Sequence, residues 1–419
     1  MSQEASHVVA VIGGAVAGAE VAGTLARAGV EVAVFEQNPR PYGKIEDGLP
    51  RWHTALRQKE YETIGENLSL PKVHFVPETT VGRDVPFRAL TGEWGFSAVV
   101  LACGAWRDRP LPVEGADAYV DRGLVYQNPF VIWFNHANEK GYDGQVFEPM
   151  DGVLVVGGGL ASIDVAKVLM LETTRKRLAE RGIYVPMLQL EVKGIPKVLE
   201  AHGLRFEDLG LEGCTLFYRR RAEDMPLVEI PEGATPERVE KTLGARRKLL
   251  EKAMEKYRFK LEPLCMPEGL LVEKGRLVGL RFRRTRAEGG KVVPTDETFE
   301  RRGPYVISSI GSIPAPLEGI PMKGELFAFV DWKLGRLADQ PNVFSAGNVA
   351  TGKGNIIASR KHAAAVARAM LEGYLREQPP IPVGDLAKLR ARVRERQAAV
   401  GYPGDYAAWI AKVTPPDLE

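Results

Sequence analysis

The stretch that decides the fold is Val8-Val-Ala-Val-Ile-Gly-Gly-Ala-Val-Ala-Gly18, an apolar run that leads into a turn of small residues. These turn residues are Gly13, Gly14, Ala15 and Gly18. A strand, a glycine turn and an Ala-rich helix together open a β-α-β unit whose helix N-terminus faces a pyrophosphate. The next strand, Val32-Ala-Val-Phe35, ends in Glu36, and an acid there binds the ribose hydroxyls of an adenine dinucleotide. This unit predicts an FAD-like ligand.

A second turn of the same type begins at Gly157, 144 residues after Gly13. Its residues are Gly157, Gly159, Leu160, Ala161 and Ser162. The strand that would close this unit ends in Arg219-Arg220-Arg221, and arginine forks accommodate a 2′-phosphate. The second unit therefore predicts NADP, bound through Arg219 and Arg220. The alternative for these two arginines is a solvated strand end, and Arg221 is expected to face solvent.

Composition places the chain among globular proteins. Its 419 residues suggest two or three domains, and 56 basic against 54 acidic residues favour neither a nucleic acid nor a membrane as partner. The start lacks the basic region of a signal peptide, and no apolar run is long enough for a membrane span. Cys103, Cys214 and Cys265 are too few and too far apart for a redox pair, a four-cysteine cluster or another metal site, so we expect no metal and a reducing, cytoplasmic location.

The order of the segments predicts an α/β protein with two Rossmann-like dinucleotide-binding domains, one inserted into the other. Residues 1–108 plus 330–419 would form the FAD domain, with a basic tail at 385–419, and residues 109–329 would form the NADP domain. Val343 to Asn348 would return a strand and turn to the first domain. Residues 111–150 are expected to be irregular, and 259–309 to form antiparallel strands.

Four segments resemble the adrenodoxin reductase-type ferredoxin–NADP⁺ reductases and, more distantly, the small subunit of glutamate synthase. They are Gly43 to His53, Phe130-Val-Ile-Trp-Phe-Asn135, Gly157 to Asp164, and Ala346-Gly-Asn-Val349 continuing to Ile356. Tyr218-Arg-Arg220 with Met225-Pro226 is closer to the glutamate synthase subunit. Asn348 occupies the position at which adrenodoxin reductases have Trp and many flavoproteins have Asp.

The resemblance implies further site residues. His53 and Asp164 match a His–Asp pair that would tune proton release, although His53 at the head of a helix also has a purely structural interpretation. Cys103 stands where relatives have Thr and is expected to pack beneath the nucleotide. The flavin contacts that the resemblance adds are Gly43, Gly104, Gly347, Asn348, Asn355 and Ile356.

The resemblance implies an FAD-dependent NADP(H) oxidoreductase, ferredoxin–NADP⁺ reductase-like, that exchanges electrons with an iron–sulfur protein such as ferredoxin. The alternative is an electron-transfer subunit of a larger iron–sulfur oxidoreductase, similar to the glutamate synthase small subunit or to 2-oxoacid oxidoreductases. A disulfide reductase is disfavoured because no cysteine pair is present. Basic clusters could steer an acidic ferredoxin, or could be ordinary solvated faces. They are Arg175–Arg177, Arg246–Lys248, Arg281–Arg286 and Lys388–Arg396.

Overall fold

The computed structural model describes residues 6–231, 233–352 and 354–415. The strands are β1 Val8–Ile12, β2 Glu31–Phe35, β3 Val73–Val76, β4 Ala98–Leu101, β5 Arg107–Asp108, β6 Leu124–Tyr126, β7 Leu154–Gly157, β8 Thr215–Phe217, β9 Lys260–Glu262, β10 Cys265–Glu273, β11 Arg276–Glu288, β12 Lys291–Arg302, β13 Val306–Ser309, β14 Ser312–Ile313, β15 Met322–Lys323, β16 Leu326–Phe327, β17 Phe329–Asp331, β18 Arg336–Leu337 and β19 Val343–Ser345.

The α-helices are α1 Val16–Arg27, α2 Lys44–Asp47, α3 Thr54–Leu68, α4 Gln127–His136, α5 Leu160–Ala179, α6 Met187–Lys193, α7 Ile195–Glu200, α8 Pro236–Tyr257, α9 Asn348–Thr351, α10 Ile356–Ala369, α11 Leu375–Glu377, α12 Val383–Ala399 and α13 Tyr406–Val413. Short 3₁₀ or π segments are Ala89–Glu93, Ala116–Tyr119, Phe206–Leu209, Ala222–Asp224 and Met370–Tyr374. Within the described ranges, no helix is long and apolar enough to cross a membrane.

The chain divides into two compact units. Unit 1 contains the residues up to Arg107, Asn138–Tyr142 and the residues from Ser312 onward, and unit 2 contains Asp108–Ala137 and Asp143–Gly311. Unit 2 is thus inserted into unit 1, but the second boundary lies at 311/312 rather than at the predicted 329/330. The difference arises because Ile320, Phe327, Phe329 and Leu337 are buried in a core cluster of unit 1.

Unit 1 is built on a parallel sheet with the strand order β19-β4-β1-β2-β3. Because side chains alternate along a strand, β1 serves two cores. Val9 and Val11 pack into a cluster with α1, α3, α10 and α13, whereas Val8, Ala10 and Ile12 pack into a cluster on the other face with α12. This double burial explains why β1 reads as an unbroken apolar run.

The C-terminal tail, α12 and α13, belongs to the fold of unit 1. Trp409 is buried and donates its indole N–H to the carbonyl of Pro39 at 2.7 Å. Gln397 donates to the carbonyl of Phe75 in β3, and Arg390 forms an ion pair with Glu31 in β2. The tail therefore covers the β3 side of the sheet and the loop after β2.

Unit 2 has a parallel sheet with the order β6-β13-β7-β8-β9 and an antiparallel sheet β10-β11-β12. The ring of Phe217 in β8 stacks on Phe282 of β11 with 4.2 Å between ring centroids, so the antiparallel sheet covers part of one face. Two expectations were wrong. Residues 127–136 form α4 rather than an irregular segment, and β9 and β13 run parallel within the main sheet because each pairs with a Rossmann strand.

Candidate functional site

The first glycine turn is held by close backbone approach. Gly13 has φ +99°, and a Cβ there would lie 2.7 Å from the carbonyl oxygen of Ala102. A Cβ on Gly18 would lie 1.8 Å from the carbonyl oxygen of Gly13, so neither position tolerates a side chain. Ala15 occupies the N-cap of α1 and has no side-chain acceptor. The first-turn amides of α1 are therefore left for another acceptor, such as a phosphate.

Glu36 lies buried at the end of β2, directly beside this turn. Its carboxylate accepts hydrogen bonds from the backbone N–H of Gly14 at 2.8 Å and of Asn38 at 2.9 Å. Burial nevertheless raises the pKa of Glu36 to about 7, because desolvation outweighs the two backbone donors. The structure thus places the predicted ribose-binding acid against the predicted pyrophosphate turn, within one unit.

A second loop of unit 1 adjoins α1. Gly347 follows β19 with φ +77°, and a Cβ there would lie 2.5 Å from the Cβ of Ala17 in α1. Asn348 has a buried Oδ1 without a hydrogen-bond partner among the described residues. A buried orphan acceptor indicates a missing donor, which a bound ligand would supply. Asn355 caps α10 by accepting from the N–H of Ala358 at 2.6 Å, and Ile356 is the first residue of that helix.

Gly43 of unit 1 borders the first glycine turn, and Gly104 lies in the loop after β4. Gly43 has φ +49°, and its Cβ position lies 3.0 Å from the Cβ of Ala15. Gly104, with φ +71°, follows β4. Cys103, next to it, has a pKa raised to about 11 by burial, so its thiol is not a nucleophile at neutral pH.

The predicted His–Asp pair is distributed over the two units. His53 is half-buried, forms the N-cap position of α3 without a side-chain capping bond, and has its ring 6.0 Å from that of Trp52. Asp164 lies on α5 of unit 2, 3.7 Å from the ammonium of Lys167. Lys167 is buried and also pairs with Glu191 at 3.2 Å. A joint role of His53 and Asp164 stays a prediction.

The second glycine turn lies in unit 2. A Cβ on Gly157 would lie 2.4 Å from the carbonyl oxygen of Ser309, and one on Gly158 would lie 2.0 Å from the ring of Tyr218. The position above Gly159, the N-cap of α5, is open, with no atom within 4 Å. The two crowded glycines have structural reasons, whereas Gly159 leaves room for a ligand at the helix N-terminus.

The remaining residues of this turn differ in exposure. Ser162 is buried and donates its hydroxyl to the carbonyl of Gly159 at 2.6 Å, so it supports the turn. Leu160 is 51% exposed, and Ala161 is half-buried.

The three arginines after β8 differ in their partners. Arg221 forms two hydrogen bonds with the carboxylate of Asp224, at 2.8 and 3.0 Å. The guanidinium groups of Arg219 and Arg220 have no hydrogen-bond or ion-pair partner among the described residues. Arg219 is exposed and Arg220 half-buried. Two cations without an ion pair among the described residues therefore lie at the carboxyl end of β8, a position suited to bind a 2′-phosphate.

Most of the basic clusters are neutralised or bound inside their own unit. The carboxylate pairs are Arg175–Glu172, Lys176–Glu148, Arg177–Glu180, Arg281–Glu300, Arg283–Glu268, Arg284–Glu262, Arg286–Glu288, Lys388–Asp385 and Arg390–Glu31. Arg246 is buried and donates to the carbonyl of Val228. Arg247 and Lys248 on α8 are exposed without such a partner in the described chain. No cluster of metal-ligating side chains occurs in the described ranges.

Sequence reasoning missed His362, which accepts a hydrogen bond from the N–H of Gly347, and Trp409, which holds the loop after Glu36. Neither lies in a glycine turn: His362 reaches Gly347 from α10, 15 residues further along the chain, and Trp409 reaches Pro39 from α13. An isolated histidine on an amphipathic helix carries no sequence signal of such a contact.

Comparison with known proteins supports this description. Residues 8–59 match the pyridine nucleotide-disulphide oxidoreductase family. The mitochondrial NADPH:adrenodoxin oxidoreductase of Bos taurus is 24% identical over 393 residues, covering 85% of this chain and 76% of that protein. The glutamate synthase (NADPH) small chain of Mycobacterium tuberculosis is 32% identical over 162 residues, 37% of this chain and 32% of that protein.

A structure titled as FprA of Mycobacterium tuberculosis in complex with NADPH superposes with a TM-score of 0.70 at 20% identity, covering 94% of this chain and 91% of that chain. This likeness shows the fold. The chain matches about a third of the length of the first curated relatives, 34% and 32%.

The fold and the two glycine turns define a two-unit α/β protein in which each unit has a Rossmann-like parallel sheet and a glycine turn. In sequence, the chain is similar to the NADPH:adrenodoxin oxidoreductases and, over 37% of its length, to a glutamate synthase small chain.

Proposed function

We propose that the chain is an FAD-containing NADP(H) oxidoreductase that passes electrons between NADPH and an iron–sulfur protein such as ferredoxin. The observation that carries the proposal is the opposite charge at the ends of two equivalent strands. Buried Glu36 follows β2 in unit 1, and Arg219 and Arg220, which have no ion-pair partner among the described residues, follow β8 in unit 2. An acid suits ribose hydroxyls and arginines suit a 2′-phosphate, which favours FAD in unit 1 and NADP in unit 2.

The residues of unit 1 fit an FAD molecule. The amides at the start of α1 would bind the pyrophosphate, and the Glu36 carboxylate would accept the ribose hydroxyls. The orphan Oδ1 of Asn348 would accept a hydroxyl or amide of the ligand. In unit 2, the open N-terminus of α5 at Gly159 would take the NADP pyrophosphate. Bound FAD would supply hydride and electron-transfer chemistry, while the residues of the two units would hold the two nucleotides.

A second candidate function is an electron-transfer subunit of a larger iron–sulfur enzyme. The sequence match to the glutamate synthase small chain favours it. In both readings the electrons leave the chain, since Cys103, Cys214 and Cys265 are all single thiols. Such unpaired cysteines also support our proposal of a cytoplasmic location.

The purified protein tests this function directly. We expect it to be yellow, to release FAD rather than FMN on denaturation, and to reduce both ferricyanide and an added ferredoxin with NADPH. Reduction of ferricyanide but of no ferredoxin would favour the subunit function. Colourless protein that cannot be reconstituted with FAD would contradict both.

A further inference from the structure

His362 connects the Gly347 turn to a hairpin of the same unit. Its Nδ1 lies 3.0 Å from the backbone nitrogen of Gly347, and its Nε2 lies 2.9 Å from the carbonyl oxygen of Lys333, between β17 and β18. An amide nitrogen can only donate and a carbonyl oxygen can only accept. Both bonds therefore exist together only in the neutral imidazole with its proton on Nε2. Burial lowers the pKa of His362, which favours that neutral form.

The N–H of Gly347 is held by His362, whereas its carbonyl accepts from the N–H of Thr351 at 3.0 Å. Its φ of +77° lies in the left-handed region, and it is buried against Ala17 of α1. The turn that it begins, Gly347–Thr351, carries Asn348 with its orphan Oδ1. A buried N–H without an acceptor costs free energy, so loss of the imidazole acceptor would let this turn shift. The position of Asn348 thus depends on a side chain 14 residues further along the chain.

We propose that His362 is a positioning residue of the first dinucleotide site: its neutral imidazole, held by Lys333, fixes the Gly347–Thr351 turn that presents Asn348 to the ligand. This inference rests on the proposed function for the identity of the ligand as FAD. The positioning itself concerns the ligand-free chain and can be measured there.

Two substitutions separate the two hydrogen bonds. His362→Asn places an amide oxygen near the Nδ1 position and keeps an acceptor for Gly347, whereas His362→Gln places its amide near the Nε2 position and keeps only the bond to Lys333. Lys361→Gln is the control, because Lys361 is exposed on the same helix. Hydrogen exchange of the Gly347–Thr351 amides in the ligand-free protein is the first readout. We expect at least about tenfold faster exchange in His362→Gln, and exchange within about threefold of the parent in His362→Asn and Lys361→Gln.

The second readout is titration of the ligand-free proteins with FAD, followed by flavin fluorescence and by the absorption band near 450 nm. We expect His362→Gln to bind FAD at least about tenfold more weakly, a loss of about 1.4 kcal/mol in binding free energy, and to show an altered absorption band. His362→Asn should bind FAD nearly as tightly as the parent protein. Unchanged hydrogen exchange in both His362 variants would overturn the positioning role. An equal loss of FAD affinity in both variants, together with lower thermal stability in both, would overturn it too. Failure of the parent protein to bind FAD would refute the proposed function alone, since the exchange measurement remains decisive.

Discussion

The strongest functional signal at the scale of single residues is the contrast among three adjacent arginines. Arg221 forms an ion pair with Asp224, whereas Arg219 and Arg220 have no hydrogen-bond or ion-pair partner for their guanidinium groups among the described residues. Their guanidinium groups suit a 2′-phosphate, because guanidinium binds phosphate in a bidentate fork.

Replacing Arg219 and Arg220 by Ala should therefore raise the KM for NADPH at least about tenfold, since charge-assisted hydrogen bonds contribute roughly 1.5–3 kcal/mol each. The KM for NADH should hardly move. Steady-state kinetics with ferricyanide measures both values without a protein acceptor. Arg221→Ala is the matched control, with an expected change below about twofold. If the parent enzyme used both nucleotides equally, these arginines would have another role.

Glu36 provides a prediction about pH. Its pKa of about 7 in the ligand-free protein lies above the ordinary value of 4.5, so protonation favours the folded state. That contribution is fully present below pH 4.5 and is lost as the pH rises through about 7. Ribose hydroxyls donate stronger hydrogen bonds to a carboxylate than to a protonated carboxylic acid. The Kd for FAD should therefore fall several-fold from pH 6 to pH 8.

Fluorescence titration of the ligand-free protein with FAD at several pH values measures this dependence. Glu36→Gln has the same size and cannot titrate, so its Kd should be higher and nearly constant over that range. An equally steep pH dependence in Glu36→Gln would assign the titration to a different group.

At the scale of elements, α12 and α13 are part of the first dinucleotide unit rather than a free tail. The indole of Trp409 reaches Pro39, three residues after Glu36, and Tyr406 packs edge-on against Phe75 of β3 with 5.3 Å between ring centroids. The sequence analysis offered Lys388–Arg396 of this tail as a possible docking surface. Its buried face is already occupied by its own chain.

Trp409→Phe keeps most of the packing and removes the indole donor. We expect a loss of about 1 kcal/mol in the free energy of unfolding and a faster release of FAD, because the loop after Glu36 loses an anchor. Chemical denaturation and stopped-flow release measure the two effects. Trp332→Phe is the control, since that ring is 49% exposed. Stability and FAD release unchanged in Trp409→Phe would show that the hydrogen bond contributes nothing.

The elements that could be predicted from the sequence were those with local signals. Two β-α-β units are indicated by the glycine turns at Gly13 and Gly157 and by the apolar strands that precede them. Helix α4 was missed because Phe130 to Phe134 form a continuous apolar run, whose periodicity does not distinguish a short helix from a buried strand; in the structure Phe130, Val131 and Phe134 are buried on one face of the helix. The parallel pairing of β9 and β13 was missed because pairing partners lie far apart in sequence.

At the scale of the whole molecule, charge is balanced locally. Ion pairs involve most residues of the basic clusters that the sequence analysis offered as docking surfaces, whereas the side chains of the exposed Arg247 and Lys248 of α8 and Arg394 of α12 have no hydrogen-bond or ion-pair partner in the described part of the chain. An acidic acceptor protein would be steered by uncompensated cations rather than by paired ones. Among the described residues, the docking hypothesis is thereby narrowed to Arg247 and Lys248 of α8 and Arg394 of α12.

Changing Arg247 and Lys248 to Gln should raise the KM for ferredoxin several-fold at low salt, and the effect should shrink towards about 0.5 M salt as screening grows. The double change Arg286→Gln with Lys388→Gln removes two charges that are already paired, and should have little effect. Ferricyanide reduction should be equal in all three proteins. Equal ferredoxin kinetics in both double variants would exclude α8 as the steering surface.

The position of β19 has a consequence for biosynthesis. Strand β4 is complete at Leu101, but the strand that pairs with its free edge begins at Val343, after the whole of unit 2. On the ribosome, the nascent chain must therefore carry an open, apolar sheet edge while unit 2 is translated and folds. Such edges are templates for intermolecular pairing. We expect ribosome-bound chains arrested between unit 2 and β19 to need a chaperone, although unit 2 in the same chains is already folded.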